Sequence, residues 1–328
     1  MITQRHRNLF RQKRFFALVS VILAGISAAA SVGANANTPL QSELSHRALL
    51  LSYQQLRTQL EHNNFNAPVV VRSSVDHGRV TGHVYAIVNH PFSQLNAMFS
   101  SARQWCDAST LHINIKFCTN THVQDKQANL TLFVGDKGYQ EPDKAFRLDY
   151  HYRITRQTPQ FIQTRLTAKN GPIDSKDYKI AVAAIPLDNK TSFMHFSYSV
   201  RYGLFSRMLL KVYLATAASD RVGFTTQGID KNGNTIYIKG MQGMAERNAM
   251  QYFLALKSYL DTHSLPPKQR FEASLNKWFD STLKYRKQLY EETRQEYLNI
   301  KYREHSDGQY LKMARNHPQE DSEADMDF

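Results

Sequence analysis

From residue 111 to residue 200 the chain alternates. Leu111, Ile113, Ile115 and Phe117 are separated by polar residues. Leu130, Leu132 and Val134 follow the same spacing, with Phe133 between the last two, and polar residues again separate Leu148, Tyr150, Tyr152 and Ile154, and finally Met194, Phe196, Tyr198 and Val200. Residues 161–166 and 180–185 continue the series between them, and "GDKG", "RQTP", "NGP" and "LDNK" supply turns. A period of two with turn residues between the runs predicts an antiparallel meander with one buried face. Such a face has to be covered. The cover is predicted at 242–262, where Ala249, Tyr252, Phe253, Leu256, Tyr259 and Leu260 recur at helical spacing. A sheet that curls further than this helix can fill would leave a cavity between them.

The rest of the chain is arranged around that pair. Residues 40–61 read as an amphipathic helix ended by "NNFNAP", and 69–89 read as extended. "PFSQLNAMFSSARQWC" reads as a helix with Phe92, Leu95, Met98 and Phe99 on one face. A further helix at 203–217 precedes a hairpin turning at Asn232-Gly233. After "LPP", one long helix is expected from about 268 to 303, with Phe271, Leu275, Trp278, Tyr285 and Leu289 along one side. The last residues are acidic and without period, which predicts a disordered tail. The expected division is 1–36 signal peptide, 37–66 helical segment, 67–265 main domain, 266–305 long helix and 306–328 tail.

The order "GHVYAIVNHPFSQLNAMF…W", then a meander, then "GMAERNAMQYFLALKSYLD" resembles the START-like, helix-grip superfamily, which includes polyketide cyclase-like members. The stretches "WC….LHINIKFC", "YSVRYG" and "AERNAMQYFLA" are similar to a group of secreted bacterial proteins of this type. The resemblance covers roughly 70–262. It implies an α+β helix-grip fold, a curved antiparallel sheet wrapped around a long C-terminal helix, with extra flanking helices. It also implies an interior cavity for an apolar ligand, without a defined reaction.

The N-terminus bears on compartment. Arg5, Arg7, Arg11, Lys13 and Arg14 precede an apolar run at 15–32 and the small-x-small pattern Ala34-Asn35-Ala36. This predicts a secretory signal peptide and a periplasmic protein, with an uncleaved anchor as the alternative. Of the formal net charge of +13, five units lie in that segment, leaving +8 for the mature chain. A mild basic excess suits an anionic surface or ligand, and export argues against nucleic acid as partner. Transient membrane contact is an expectation of the same kind.

Cys106 and Cys118 are the only cysteines, twelve positions apart. An exported pair is expected to form a disulfide worth about 3 kcal/mol, pinning a helix end to the sheet. If strict alternation holds, Cys118 shares its face with His112, Asn114 and Lys116. Those three then face the helix, where they hold a ligand's polar head, or they are merely solvated at an open edge. Glu246 falls on the stripe of the 242–262 helix, either facing the sheet as a ligand or acid group, or wet in the first turn. Tyr198 and Phe253 complete the candidate lining. No cofactor, metal or nucleophile motif is found: H-E-x-x-H, G-x-S-x-G, G-x-G-x-x-G and P-loop patterns are missing.

The sequence therefore favours a secreted binding protein that holds a lipid or other hydrophobic small molecule between sheet and helix. The alternatives are an enzyme on the same fold, cyclase- or hydrolase-like, with Glu246 or His112 as acid/base, and an interaction protein with a solid core.

Overall fold

The computed structural model describes residues 45–316, apart from Asp125 and Ala217. The expected signal peptide and residues 317–328 of the expected tail lie outside the described residues. Helix α1 (His46–Glu61) starts at Ser45, whose hydroxyl accepts from Ala48 N. Strands β1 (Val69–Asp76) and β2 (Arg79–Val88) form a hairpin. Its two-residue turn has positive φ at His77 and Gly78, the backbone that matches strand twist. The helix expected after Pro91 is two helices, α2 (Phe92–Phe99) and α3 (Ala102–Ser109). Ser101 breaks them apart, because its side chain accepts from Gln104 N and caps the second.

The meander follows as β3 (Ile115–Gln124), β4 (Gln127–Val134), β5 (Phe146–Thr158), β6 (Phe161–Asn170), β7 (Ser175–Pro186) and β8 (Ser192–Tyr202). With β1 and β2 these build one antiparallel sheet, in the order β1-β2-β8-β7-β6-β5-β4-β3. Helix α4 (Leu204–Ala215) and the small hairpin β9 (Thr226–Ile229) and β10 (Thr235–Tyr237) lead into α5 (Gly240–Thr262). Strand order and the position of α5 make this the helix-grip fold, as the sequence predicts.

Helix α5 grips closely. A Cβ on Gly82 of β2 would stand 2.3 Å from the carbonyl oxygen of Ala245, so only glycine permits this approach. Of the predicted stripe, Ala249, Tyr252, Phe253, Leu256 and Leu260 are buried and Tyr259 is half-buried. The other side of α5 is buried too, because α6 (Pro267–Leu283) lies on it. There Trp278 Nε1 donates to Gln251 O at 3.2 Å.

The single helix expected at 268–303 is three: α6, the short α7 (Arg286–Leu289) and α8 (Arg294–Asn316). The break has a local cause. Thr293 and Glu296 form a capping box: Thr293 N donates to Glu296 Oε2 at 3.0 Å, and Glu296 N to Thr293 Oγ1 at 3.3 Å. Residues 306–316, assigned to the tail by composition, continue α8.

The sheet is not open on its other face. Helix α1 packs there, with Leu49, Leu56 and Leu60 against Val70, Ile185 and Phe193. Helix α8 covers β3, where a Cβ on Gly308 would meet the Phe117 ring at 2.4 Å.

Candidate binding site

The disulfide forms as expected. Cys106 of α3 and Cys118 of β3 are bonded, with Cα atoms 5.2 Å apart. The face assignment built on it does not hold. Residues 111–114 form a turn, and β3 starts only at Ile115. Its pairing with β4 then slips: Ile115 opposes Val134 and Phe117 opposes Phe133, so Lys116 is an extra residue. A bulge of this kind resets alternation. Ile115 and Cys118 both enter the inner core, and Lys116 turns outward beneath α8.

His112, Asn114 and Lys116 therefore diverge. Lys116 Nζ donates to the carbonyls of Ile113 (3.1 Å) and Gly138 (2.8 Å), and pairs with Glu304 Oε1 at 2.8 Å. Lys301 Nζ meets Glu304 Oε2 at 3.0 Å and donates to the carbonyls of His112 and Ile115, both at 2.8 Å. All three ionic side chains are buried. Burial holds the Lys301 ammonium down at about 8, a shift that Glu304 opposes and Lys116 reinforces. Asn114 Nδ2 donates to Gly135 O at 2.9 Å. His112 turns inward, its ring 4.3 Å from that of Tyr252, and its Nδ1 accepts from Asn114 N at 3.1 Å. Burial first, then Lys301, Lys116 and Lys137, push this imidazole down to about 3.

Glu246 is neither wet nor turned to a ligand. Its Oε2 accepts from the backbone N–H groups of Phe224 (2.6 Å) and Thr225 (2.8 Å). Its Oε1 accepts from the hydroxyls of Thr225 (2.6 Å) and Ser73 (2.7 Å). Four donors saturate the carboxylate, which ties the segment after α4 and strand β1 to α5. A saturated carboxylate and an imidazole neutral at pH 7 are poor starting points for the acid/base chemistry considered for them.

Tyr198 and Phe253 are in the inner core. Tyr198 stacks on Tyr252 at 5.7 Å, and with Tyr150 the three rings occupy the space between sheet and α5. Burial raises all three phenols above the usual range.

A cleft of about 520 Å³ opens instead between α3, β3, α6 and α8. Its apolar floor is the disulfide with Leu111, Phe117 and Phe271. Phe271 is held by His305, stacked at 4.1 Å. Arg103, Lys268 and Arg270 stand on the rim, with Asp107 beside them. Arg103 lies 4.0 Å from Asp107, and Arg270 Nε is fixed by the Leu265 carbonyl at 2.6 Å. The Lys116–Glu304–Lys301 cluster is the back wall. A volume in the range of small-molecule sites, about 300–1,000 Å³, with an apolar floor and charged groups on the rim and back wall suits a small molecule that is apolar at one end and charged at the other. Sequence reasoning does not reach Arg103, Arg270, Phe271, Lys301 or Glu304. Residues 103–118 and 267–309 meet only in three dimensions, and no spacing signals it. Among the described residues no group of three His, Cys, Asp or Glu could hold a metal ion.

No family model and no curated protein matches the chain. Solved structures with a similar fold include a STAR-related lipid transfer protein from Xanthomonas axonopodis, at 9% identity and TM-score 0.33, covering 58% of this chain and 98% of that one. An aromatase/cyclase from a Streptomyces species matches at 9% identity and TM-score 0.29, over 62% and 96% of the two chains. Norcoclaurine synthase from Thalictrum flavum matches at 8% identity and TM-score 0.32, over 44% and 86%. At these values the likeness carries no argument about ligand or reaction, and the fold assignment rests on the strand order and the gripping helix.

Proposed function

We propose that this helix-grip chain is a small-molecule binding protein whose guest is an amphipathic anion seated in the cleft between α3, β3, α6 and α8. The cleft itself supports this most strongly: an apolar floor of the disulfide, Leu111, Phe117 and Phe271 lies below a rim of three cations and one carboxylate. Burial of the hydrocarbon would supply affinity, about 25 cal/mol per Å² of apolar surface. Arg103 and Arg270 would orient the head group, since guanidinium groups suit carboxylate and phosphate oxygens. Titration calorimetry with decanoate and decanol tests it. Decanoate is expected to bind at about micromolar level and decanol at least tenfold more weakly. The double variant Arg103→Ala/Arg270→Ala should close that gap. Equal affinity for both probes in the unaltered protein, or no heat from either, would overturn the reading.

A second reading keeps the guest between sheet and α5, lined by Tyr198 and Phe253. One observation favours it: the phenol oxygens of Tyr198 and Tyr252 make no hydrogen bond among the described residues. An internal guest with a polar group could supply one.

Export to the periplasm is part of the proposal. It draws support from the disulfide, which persists in oxidising compartments. The intact mass of protein recovered from the periplasm is expected to lack residues 1–36 and to carry no free thiol.

A further inference from the structure

Helix α4 presents apolar residues on both sides. Leu210 and Leu214 face the domain, packed with Val80, Met241 and Ala245. The opposite face carries Leu204, Met208 and Val212, at i, i+4 and i+8, and these are 80%, 54% and 59% exposed. An ordinary surface helix has polar residues there. The turn between β6 and β7 extends the patch. Gly203 N donates to Asp174 O at 3.2 Å, which places neighbouring Ile173, 67% exposed, at the same end. Contiguous exposed side chains of this size mark a contact surface.

The charges alongside are basic. Arg207 and Lys211 run along one flank of the stripe at i, i+4, and neither has an ion-pair partner among the described residues. Lys176 and Arg201 sit opposite one another on the adjoining strands. Of the acids of this edge, Asp177 lies 3.5 Å from Arg79 and 3.2 Å from Arg201, and the exposed Asp174 carboxylate lies against Gly203 without an ion pair among the described residues, so the bases outnumber the acids.

We infer that the outer face of α4, with the 171–174 turn, docks on an anionic lipid bilayer. Other occupants fit the charges poorly. A second copy of the chain, related by a two-fold axis, would set Arg207 and Lys211 against their own counterparts. The chain's own apolar run at 15–32 is preceded by five bases and brings like charge as well. A lipid surface satisfies both features, with acyl chains taking the stripe and head groups the cations. Twelve residues are too few to span a bilayer, so α4 would lie in its plane.

The variant Met208→Cys gives a single labelling site, since both natural cysteines are in the disulfide. A polarity-sensitive dye there should shift to the blue with vesicles of mixed phosphatidylglycerol and phosphatidylcholine, and not with phosphatidylcholine alone. Added salt should reverse the shift. In unlabelled full-length protein, Arg207→Glu/Lys211→Glu should weaken vesicle co-sedimentation about tenfold or more. Leu204→Ser/Val212→Ser should reduce it likewise, and both pairs are surface positions whose thermal unfolding should be unchanged. The run at 15–32 is common to all these chains, so differences between them read α4. An unchanged dye, an equal shift on both vesicle types, or a shift that follows protein self-association without lipid would each overturn the inference.

Discussion

The inner face of the sheet and the β3 end of its outer face are closed by different chemistry. Between the inner face and α5, the filling is Phe196, Tyr198, Tyr252, Phe253, Met194 and their neighbours. Between the outer face at β3 and α8, the centre is Lys116, Glu304 and Lys301, buried and paired. Hydrophobic burial is non-directional and tolerates a range of shapes. A buried ion cluster is satisfied in one arrangement only, and losing a member leaves a charge without a partner. The inner layer therefore contributes through burial alone, and the ionic seam sets where α8 sits. The cleft lies beside this ionic seam.

The largest effects should separate the layers by what rescues them. Phe253→Ala should cost about 3–5 kcal/mol in urea unfolding, through a cavity no single second change refills. Glu304→Ala should cost about 3–5 kcal/mol as well, because two lysines are left buried and unpaired. Here rescue is expected. The triple variant Lys116→Met/Lys301→Met/Glu304→Leu should recover the loss and match or exceed wild type in the same titration, since apolar replacement of a buried cluster is typically neutral or stabilising by about 1–4 kcal/mol. A triple variant as unstable as Glu304→Ala would break the comparison.

Reducing the Cys106–Cys118 bond should come next, at about 3 kcal/mol. It joins α3 to β3 at the cleft floor, so decanoate binding should fall under reductant at temperatures where the fold persists.

Titration sharpens the contrast. The Lys301 pKa is depressed to about 8 from 10.5, so between these values the unfolded chain carries a proton the folded chain has lost. Stability should rise with pH across that window, and Lys301→Met should flatten the rise. His112, held to about 3 against 6.5, gives the same sign at acid pH: its stability contribution is complete above 6.5 and is lost as pH falls toward 3. His112→Asn should reduce that acid slope.

How far the sequence reaches differs along the same lines. Leu148, Tyr150 and Tyr152 alternate in the letters and in the fold, because β5 runs regularly against β4 there. "LHINIKF" alternates equally well on paper, yet its first half is a turn and its second half contains a bulge. Period two reports a strand only where pairing is unbroken, and an inserted residue leaves no mark in hydrophobicity. The break before α8 was legible in principle, since Thr293-x-x-Glu296 is a helix start inside an otherwise continuous pattern. The cleft was not, for its walls come from segments about 150 residues apart in sequence, joined by helices outside the minimal grip.

The smallest effect is expected on the solvent side of α1. Arg57 and Glu61 pair at 3.0 Å with both side chains largely exposed. Arg57→Ala should leave the melting temperature unchanged within error, because water and salt screen such a pair.

Amide chemical-shift mapping with decanoate tests the central point most directly. The account predicts shifts gathered at residues 103–118, 267–274 and 301–309, with the amides around Tyr150, Tyr198 and Tyr252 unmoved. Shifts centred on those tyrosines and on the sheet-facing side of α5, with the 267–274 and 301–309 segments silent, would contradict it and place the guest inside the grip.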